Sequence, residues 1–274
     1  MAIYKAKMES SVINVVNYIG KAFRETPYLY LNVIKYGVGF DSVTTWLDVR
    51  TDGSLRGVYL LYYDCLHFFT RTPGEYPKEI LLGFIKSQPH KVLMLQGIVG
   101  ERIDSQLSGY HSERNHIIDM ANVGLMDRTY RGEIADRAAV EEIVNLLISD
   151  SEYTHVYDRQ MLLEQMLDRF DSGFSRYFVI RQDGRIVATC STYGEAPGFA
   201  IVGGVMVHPE CRRQGLACEI ESYACHVLSK ENITRIAFVN FKNTASLALH
   251  KKLGGIPIAT MAKFIKREDL VGKD

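Results

Sequence analysis

The residues best suited to chemistry lie between Phe199 and Lys230, above all in Val205-Met206-Val207-His208-Pro209-Glu210-Cys211-Arg212-Arg213-Gln214-Gly215-Leu216-Ala217. An apolar run, Ala200 to Val207, reads as a buried strand; a proline-bounded turn and a basic, Gly-containing loop follow, opening directly into an amphipathic helix. Such a junction suits a phosphate. The first N–H groups of a helix lack intrahelical acceptors, and the aligned peptide dipoles favour negative charge there. Small residues at Gly215 and Ala217 let an anion approach the backbone, while Arg212 and Arg213 add positive charge. Two phosphate loops are excluded. No Gly-x-x-x-x-Gly-Lys-Ser/Thr supplies the lysine and hydroxyl for a γ-phosphate and Mg²⁺, and no Gly-x-Gly-x-x-Gly follows a first strand.

The elements that must position this stretch can be read outward from it. Before it, Arg176 to Arg181 and Arg185 to Thr192 flank Gln182-Asp183-Gly184, an Asp-Gly hairpin signal. Earlier still come a strand candidate, Met126 to Arg131, a helix with Asp136 as N-cap and Val140, Ile143, Val144 and Leu147 on one face, and a second helix from Asp158 to Phe170. After it follow a strand, Arg235 to Asn240, a helix from Asn243 to Leu253 closed by Gly254-Gly255, and a last strand or pair, Ile256 to Ile265. The N-terminal half predicts a helix over Ser10 to Phe23 ending near Pro27, and an ambiguous apolar stretch, Tyr28 to Val38. It continues with strands at 44–50, 55–63 and 66–70, a helix with Tyr76, Ile80, Leu81, Phe84 and Ile85, and a strand at 91–95. Glu101 to Asn115 is polar, placing the boundary so that 1–124 form one domain and 125–274 a second. The hairpins Val49-Arg50-Thr51-Asp52-Gly53 and Ile180-Arg181-Gln182-Asp183-Gly184 sit in matching contexts, so the halves read either as an internal duplication or as two independent uses of a common turn. If the duplication holds, the first copy has lost the phosphate loop, since Leu66 to Glu75 contains no equivalent cradle.

The whole chain narrows the function further. With 274 residues, 47% hydrophobic and 23% charged, it has the makings of a globular protein of one large or two ordinary domains. Its formal net charge of +0, from 32 basic and 32 acidic residues, argues against a broad nucleic-acid surface. Five cysteines form no Cys-x-x-Cys pair, so reduced thiols in a cytoplasm, and no metal, are expected. The N-terminus has no apolar core of signal type and no apolar run reaches about 18 residues, so neither that export route nor a membrane span is expected.

The strand-loop-helix sequence Val-x-Val-His-Pro-Glu-x-Arg-Arg-Gln-Gly-Leu-Ala resembles the acyl-CoA signature of the GNAT superfamily of N-acyltransferases. A second motif agrees: Asn243-Thr244-Ala245-Ser246 and His250-Lys251-Lys252-Leu253-Gly254-Gly255 look like the family's Asn-led helix ending in Lys-x-Gly. The resemblance covers about half the chain. It implies an α/β (α+β) GNAT fold with a central mixed, mostly antiparallel sheet flanked by helices, preceded by a smaller or degenerate N-terminal α/β domain. It further implies that backbone amides of Arg212, Arg213, Gln214, Gly215, Leu216, Ala217 and Cys218 bind the CoA pyrophosphate. The main chain of Val205, Met206 and Val207 would pair with pantetheine like an extra strand, and Asn243 would help to hold the cofactor. Extended amides suit β-augmentation on a splayed strand edge, and Gly203-Gly204 marks either the bulge that splays it or a tight spot in the core.

Direct transfer of an acetyl group from acetyl-CoA needs an amine as free base, an oxyanion donor, for which a backbone N–H near Val207 is the natural choice, and protonation of a leaving thiolate. Many family members place Tyr as the acid in the second motif; this chain has His250, which donates near neutrality, and Gly255 where Phe is frequent. The strand Ala200 to Val207 carries no Glu, so Glu195 is the candidate base, with Tyr193, His208 or a water chain as alternatives. The expected partner is a small-molecule or peptide amine acceptor, with no nucleic acid and no membrane, and homodimerisation is open. The competing readings are a CoA-sensing or partner-binding protein that has lost catalysis, and transfer of another acyl or aminoacyl group. Tyr59 to Phe69 reads as core or as the lining of an acceptor pocket.

Overall fold

Two Asp-Gly turns set the frame of the two halves. In the first, Gly53 takes φ +84° and the Asp52 carboxylate accepts the Ser54 N–H at 2.9 Å. In the second, Asp183 and Gly184 both have positive φ, the geometry that matches the twist of the flanking strands. The computed structural model describes residues 2–7, 9–39, 43–124, 129–149 and 158–269. These divide into two compact units, unit 1 with residues 2–117, 240–242 and 258–269, and unit 2 with residues 118–239 and 243–257.

In chain order the first half runs β1 (Ala2–Lys5), α1 (Glu9–Ile19), α2 (Pro27–Tyr36), β2 (Val43–Val49), β3 (Leu55–Tyr62), β4 (Cys65–Phe69), α3 (Lys78–Ser87), β5 (Val92–Gln96), α4 (Gly97–Ile103) and β6 (Tyr110–Asp119). The second half repeats that order: β7 (Glu133–Ile134), α5 (Ala139–Leu147), α6 (Arg159–Asp171), β8 (Tyr177–Gln182), β9 (Arg185–Ala196), β10 (Phe199–Val207), α7 (Leu216–Lys230), β11 (Thr234–Asn240), α8 (Thr244–Leu253) and β12 (Ile256–Lys266). The pairing repeats as well. β2, β3 and β4 are antiparallel neighbours with β5 parallel to β4, and β8, β9 and β10 are antiparallel neighbours with β11 parallel to β10. The duplication read from the two hairpins is thus present in the order and sense of the elements.

Several expectations are sharpened or corrected. The first helix ends just before Pro27, as expected, through a 3-10 turn at Gly20–Glu25; Pro27 then opens α2 at its first turn, which resolves the ambiguous apolar stretch from Tyr28 as helix. The polar segment from Glu101 forms the end of α4, a 3-10 turn at Asp104–Gln106 and most of the strand β6. Of the expected strand at 126–131, residues 126–128 lie outside the described residues, and the short β7 forms instead at Glu133–Ile134. The division of the chain falls at Ile117/Ile118 rather than after residue 124, and residues from 258 rejoin unit 1 because β12 pairs antiparallel with β5. No local pattern announces that pairing, since its partners are far apart in sequence.

Each unit packs helices on both faces of its sheet. In unit 2, α5 and α6 bury Val140, Ile143, Leu147 and Met166 against Tyr177, Val179, Ile186 and Met206. On the other face α7 buries Leu216, Ile220, Ala224 and Leu228 against Phe178, Ala188, Cys190 and Val202. In unit 1, Tyr59 and Phe68 are core against Leu81, Phe84 and Leu93, so this aromatic stretch is packing rather than pocket lining. Among the described residues, no helix is long and apolar enough to cross a membrane.

Candidate functional site: a splayed strand pair and two helix N-termini

β10 and β11 begin as an ordinary parallel pair and then separate. Their register runs Phe199↔Thr234 to Val202↔Ala237 and stops there, although β10 continues to Val207. The cause lies on β10's other edge. Between Gly203 and Met206 one extra residue enters β10 opposite β9, leaving Gly204 and Val205 without a cross-strand partner in the register. Only glycine fits this bulge. A Cβ at Gly203 would meet the Tyr193 ring at 2.5 Å, and Gly204 takes φ +64° with the Ser191 Oγ 2.7 Å from a Cβ placed there. The Ser191 hydroxyl donates to the Gly203 carbonyl at 3.2 Å and pins the far side. The residues on Val205, Met206 and Val207 therefore present a strand edge that leaves β11, as an extended amide chain would require.

At the carboxyl end of β10 the chain makes a 3-10 turn, Pro209–Cys211, and then adopts left-handed conformations at Arg213 (φ +66°) and Gly215 (φ +82°). Alternation of this kind turns successive N–H groups toward one concavity, an anion nest. Gly215 is the N-cap of α7 and supplies no side-chain cap, so the opening amides Leu216, Ala217 and Cys218 gain no side-chain acceptor from it. A Cβ at Gly215 would have nothing within 4 Å, and Arg212, Arg213, Gln214 and Gly215 are exposed. The nest is smaller than the sequence implied: the Arg212 amide donates to the Pro209 carbonyl at 3.3 Å, and its guanidinium Nε folds back on the Val207 carbonyl at 3.2 Å.

Because β10 and β11 are parallel, the helices that follow them, α7 and α8, both start beyond the carboxyl ends of these strands. Crevices at such ends receive ligands in open α/β sheets. Asn243 opens α8: its Oδ1 accepts the Ser246 N–H at 2.9 Å as an N-cap, which leaves the amide NH₂ as donor toward a ligand. The described residues thus offer a nest for an anion, a strand edge for an extended amide chain and the positive ends of two helices.

The two proposed proton-transfer residues are placed differently. Glu195 lies opposite Ala200, beside the part of β10 still laddered to β11. Its oxygens accept both Nε and Nη2 of Arg176 at 2.9 Å and the Thr192 hydroxyl at 2.7 Å, and Arg176 also binds Glu231. Such a carboxylate is a structural anchor of the hairpin, with its lone pairs committed. His250 is 4% exposed; its Nδ1 lies 2.8 Å from the Ser246 carbonyl and its Nε2 3.0 Å from Oε1 of Glu221, which is itself 0% exposed. Burial lowers the His250 pKa, but the adjoining Glu221 carboxylate and the Ser246 carbonyl more than offset it and hold the ring above the ordinary histidine value. Both ring nitrogens thus face inward partners. Glu221 went unremarked in the sequence, though a signal existed: it falls on the stripe of Ile220, Ala224 and Cys225 that α7 buries. Cys218 is half-buried, and Cys225 is fully buried as a packing residue.

The first copy lacks the splay. β4 has only five residues and pairs in parallel with β5 from Cys65↔Val92 to Phe68↔Leu95. Where the strands would part, the Gln96 side chain accepts the buried Thr70 N–H at 3.1 Å. The following loop is occupied as well, with Arg102 Nη1 donating to the carbonyls of Pro73 and Tyr76 at 2.7 and 3.0 Å.

The family model described as Acetyltransferase (GNAT) family matches residues 140–255, from α5 through the second glycine after α8. Among solved structures, a GNAT-family acetyltransferase from Colwellia psychrerythraea is 12% identical over 97% of this chain and 100% of its own, with a TM-score of 0.61. A Drosophila protein is 13% identical over 96% and 98%, with a TM-score of 0.65. A tandem GNAT protein from the clavulanic acid biosynthesis pathway is 13% identical over 96% and 98%, with a TM-score of 0.59. At these identities the likeness is one of fold, and it spans both halves. No curated protein matches the chain.

Proposed function

We propose that unit 2, whose residues 140–255 match the family model described as Acetyltransferase (GNAT) family, transfers an acetyl group from acetyl-CoA to a primary amine by direct attack. The observation that carries this reading is the splay of β10 from β11 beyond Val202, continuous with the uncapped, left-handed loop at Gly215. When bound, the thioester supplies the activated acyl group. The chain's own residues do the rest. Amides from Arg213 to Cys218 hold the pyrophosphate, and the edge from Val205 to Val207 aligns pantetheine. The N–H groups at the bulge offer donors where negative charge develops on the carbonyl oxygen.

Proton traffic passes through water in this reading, since Glu195 is held by Arg176 and His250 by Glu221. A thiolate with pKa about 8.5 is a competent leaving group near neutrality and needs only modest help from the two helix N-termini. The test follows free-thiol release from acetyl-CoA across polyamines, aminoglycosides, small amines and peptide N-termini. Release that depends on one amine class identifies the acceptor; tight acetyl-CoA binding without release from any of them rejects the enzyme reading.

That second outcome would support a CoA-responsive binding protein, which the commitment of both His250 and Glu195 to internal partners favours. Binding alone would still show, because ligand at about 100-fold over Kd stabilises a protein by roughly 2.7 kcal/mol.

A further inference from the structure

We propose that Glu221 and His250 form a positioning ion pair that fixes α8 against α7 and thereby holds the two helix N-termini at the spacing acetyl-CoA requires; this rests on the cofactor reading above. The pair joins the two helices that open on the ligand crevice. Glu221 stands in α7, the helix opened by the Gly215 loop, and His250 in α8, the helix capped by Asn243. Both are buried, at 0% and 4% exposure. The Nε2–Oε1 separation is 3.0 Å, and the Glu221 carboxylate raises the His250 pKa through both hydrogen bonding and charge. Among the described residues, no other donor reaches either carboxylate oxygen of Glu221.

The surroundings leave His250 as the counter-charge. Cys190 on β9 and Cys225 on α7 feel the Glu221 charge, and burial raises both thiols out of the physiological range, so they stay neutral. Arg235 on β11 directs its Nη atoms to the carbonyls of Ile233, Met120 and Ala121. Cys190 also extends the link to the bulge, with its Sγ 3.6 Å from the Gly203 carbonyl. Loss of the His250 proton would leave the buried Glu221 carboxylate without its ion-pair partner, a costly state that the helices relieve by moving apart or admitting water.

The sign of the pH dependence follows. His250 is held above its ordinary value, so the clamp is complete below pH 6.5 and fails as pH rises through the folded-state pKa. The experiment is calorimetric titration of the full chain with acetyl-CoA, which has no free thiol, from pH 7 to 9.5, a range in which its phosphates are already ionised. Wild-type affinity should fall about tenfold across that range, and the unfolding midpoint of the ligand-free protein should fall with it. Glu221→Gln should bind weakly at pH 7, as the wild type does at high pH. Glu221→Gln/His250→Gln, which carries neither charge, should show no pH step across that range. A flat wild-type profile, or a step that survives in the double variant, overturns the clamp while leaving the cofactor reading intact. Absence of acetyl-CoA binding by the wild type at every pH overturns the cofactor reading itself, and the clamp's role in binding with it.

Discussion

Two buried histidines show how surroundings, rather than residue type, set protonation here. His67 on β4 is 5% exposed, and burial pushes its pKa down to about 4. The unfolded chain binds a proton there below pH 6.5 that the folded chain refuses, so stability is full above 6.5 and is lost as pH falls toward 4, by roughly 3 kcal/mol in all. The sole tryptophan, Trp46, lies in β2 of unit 1 and reports on it directly. Its fluorescence should show an unfolding midpoint that falls between pH 6.5 and 4 in the wild type and changes much less in His67→Phe. His250 has the opposite dependence, because its neighbour is a carboxylate. At Gly215 the constraint is conformational: Gly215→Val forces a branched residue to φ +82°, a strain of about 1–2 kcal/mol, and its side chain projects into open space at the nest. Calorimetry should show acetyl-CoA affinity reduced by at least tenfold with the far-UV spectrum unchanged; retained affinity would remove the cradle.

At the scale of elements, the two strand pairs β4–β5 and β10–β11 differ by a few residues with large effects. β10 runs to nine residues and carries Gly203-Gly204, whose bulge separates its far end from β11. β4 stops after five, and Gln96 closes the gap to Thr70. Gln96→Ala should therefore cost about 1–3 kcal/mol, the penalty of leaving the buried Thr70 N–H without an acceptor, read by urea unfolding of Trp46 fluorescence. It should create no acetyl-CoA site in unit 1, since the loop after β4 remains tied by Arg102.

For the molecule as a whole, the compact units do not coincide with the two halves of the sequence. Phe264 and Ala262 on β12 are 0% exposed and belong to the core of Leu93, Leu95 and Val99. A fragment of residues 1–124 keeps the first ten elements and loses this strand, uncovering the β5 edge and its apolar face. It should be largely unfolded or aggregated, without a cooperative thermal transition in Trp46 fluorescence; a cooperative transition at the full-length midpoint would refute that account.

Much of unit 2 was legible beforehand because its signals are local. The Asp183-Gly184 turn, the helix starts at Asp158 and Asn243, the αL glycine Gly254 and the uncapped basic loop at Gly215 each act within a few residues, where backbone sterics and unsatisfied N–H groups decide the outcome. Only the tertiary structure decided the rest. Glu195 and His250 have the right chemistry in isolation, but Arg176 and Glu221, distant in sequence, engage them. The place of β12 was hidden for the same reason: it depends on a ladder to β5 between segments far apart along the chain. Side-chain chemistry is a property of the residue, whereas its availability depends on neighbours that folding brings from elsewhere.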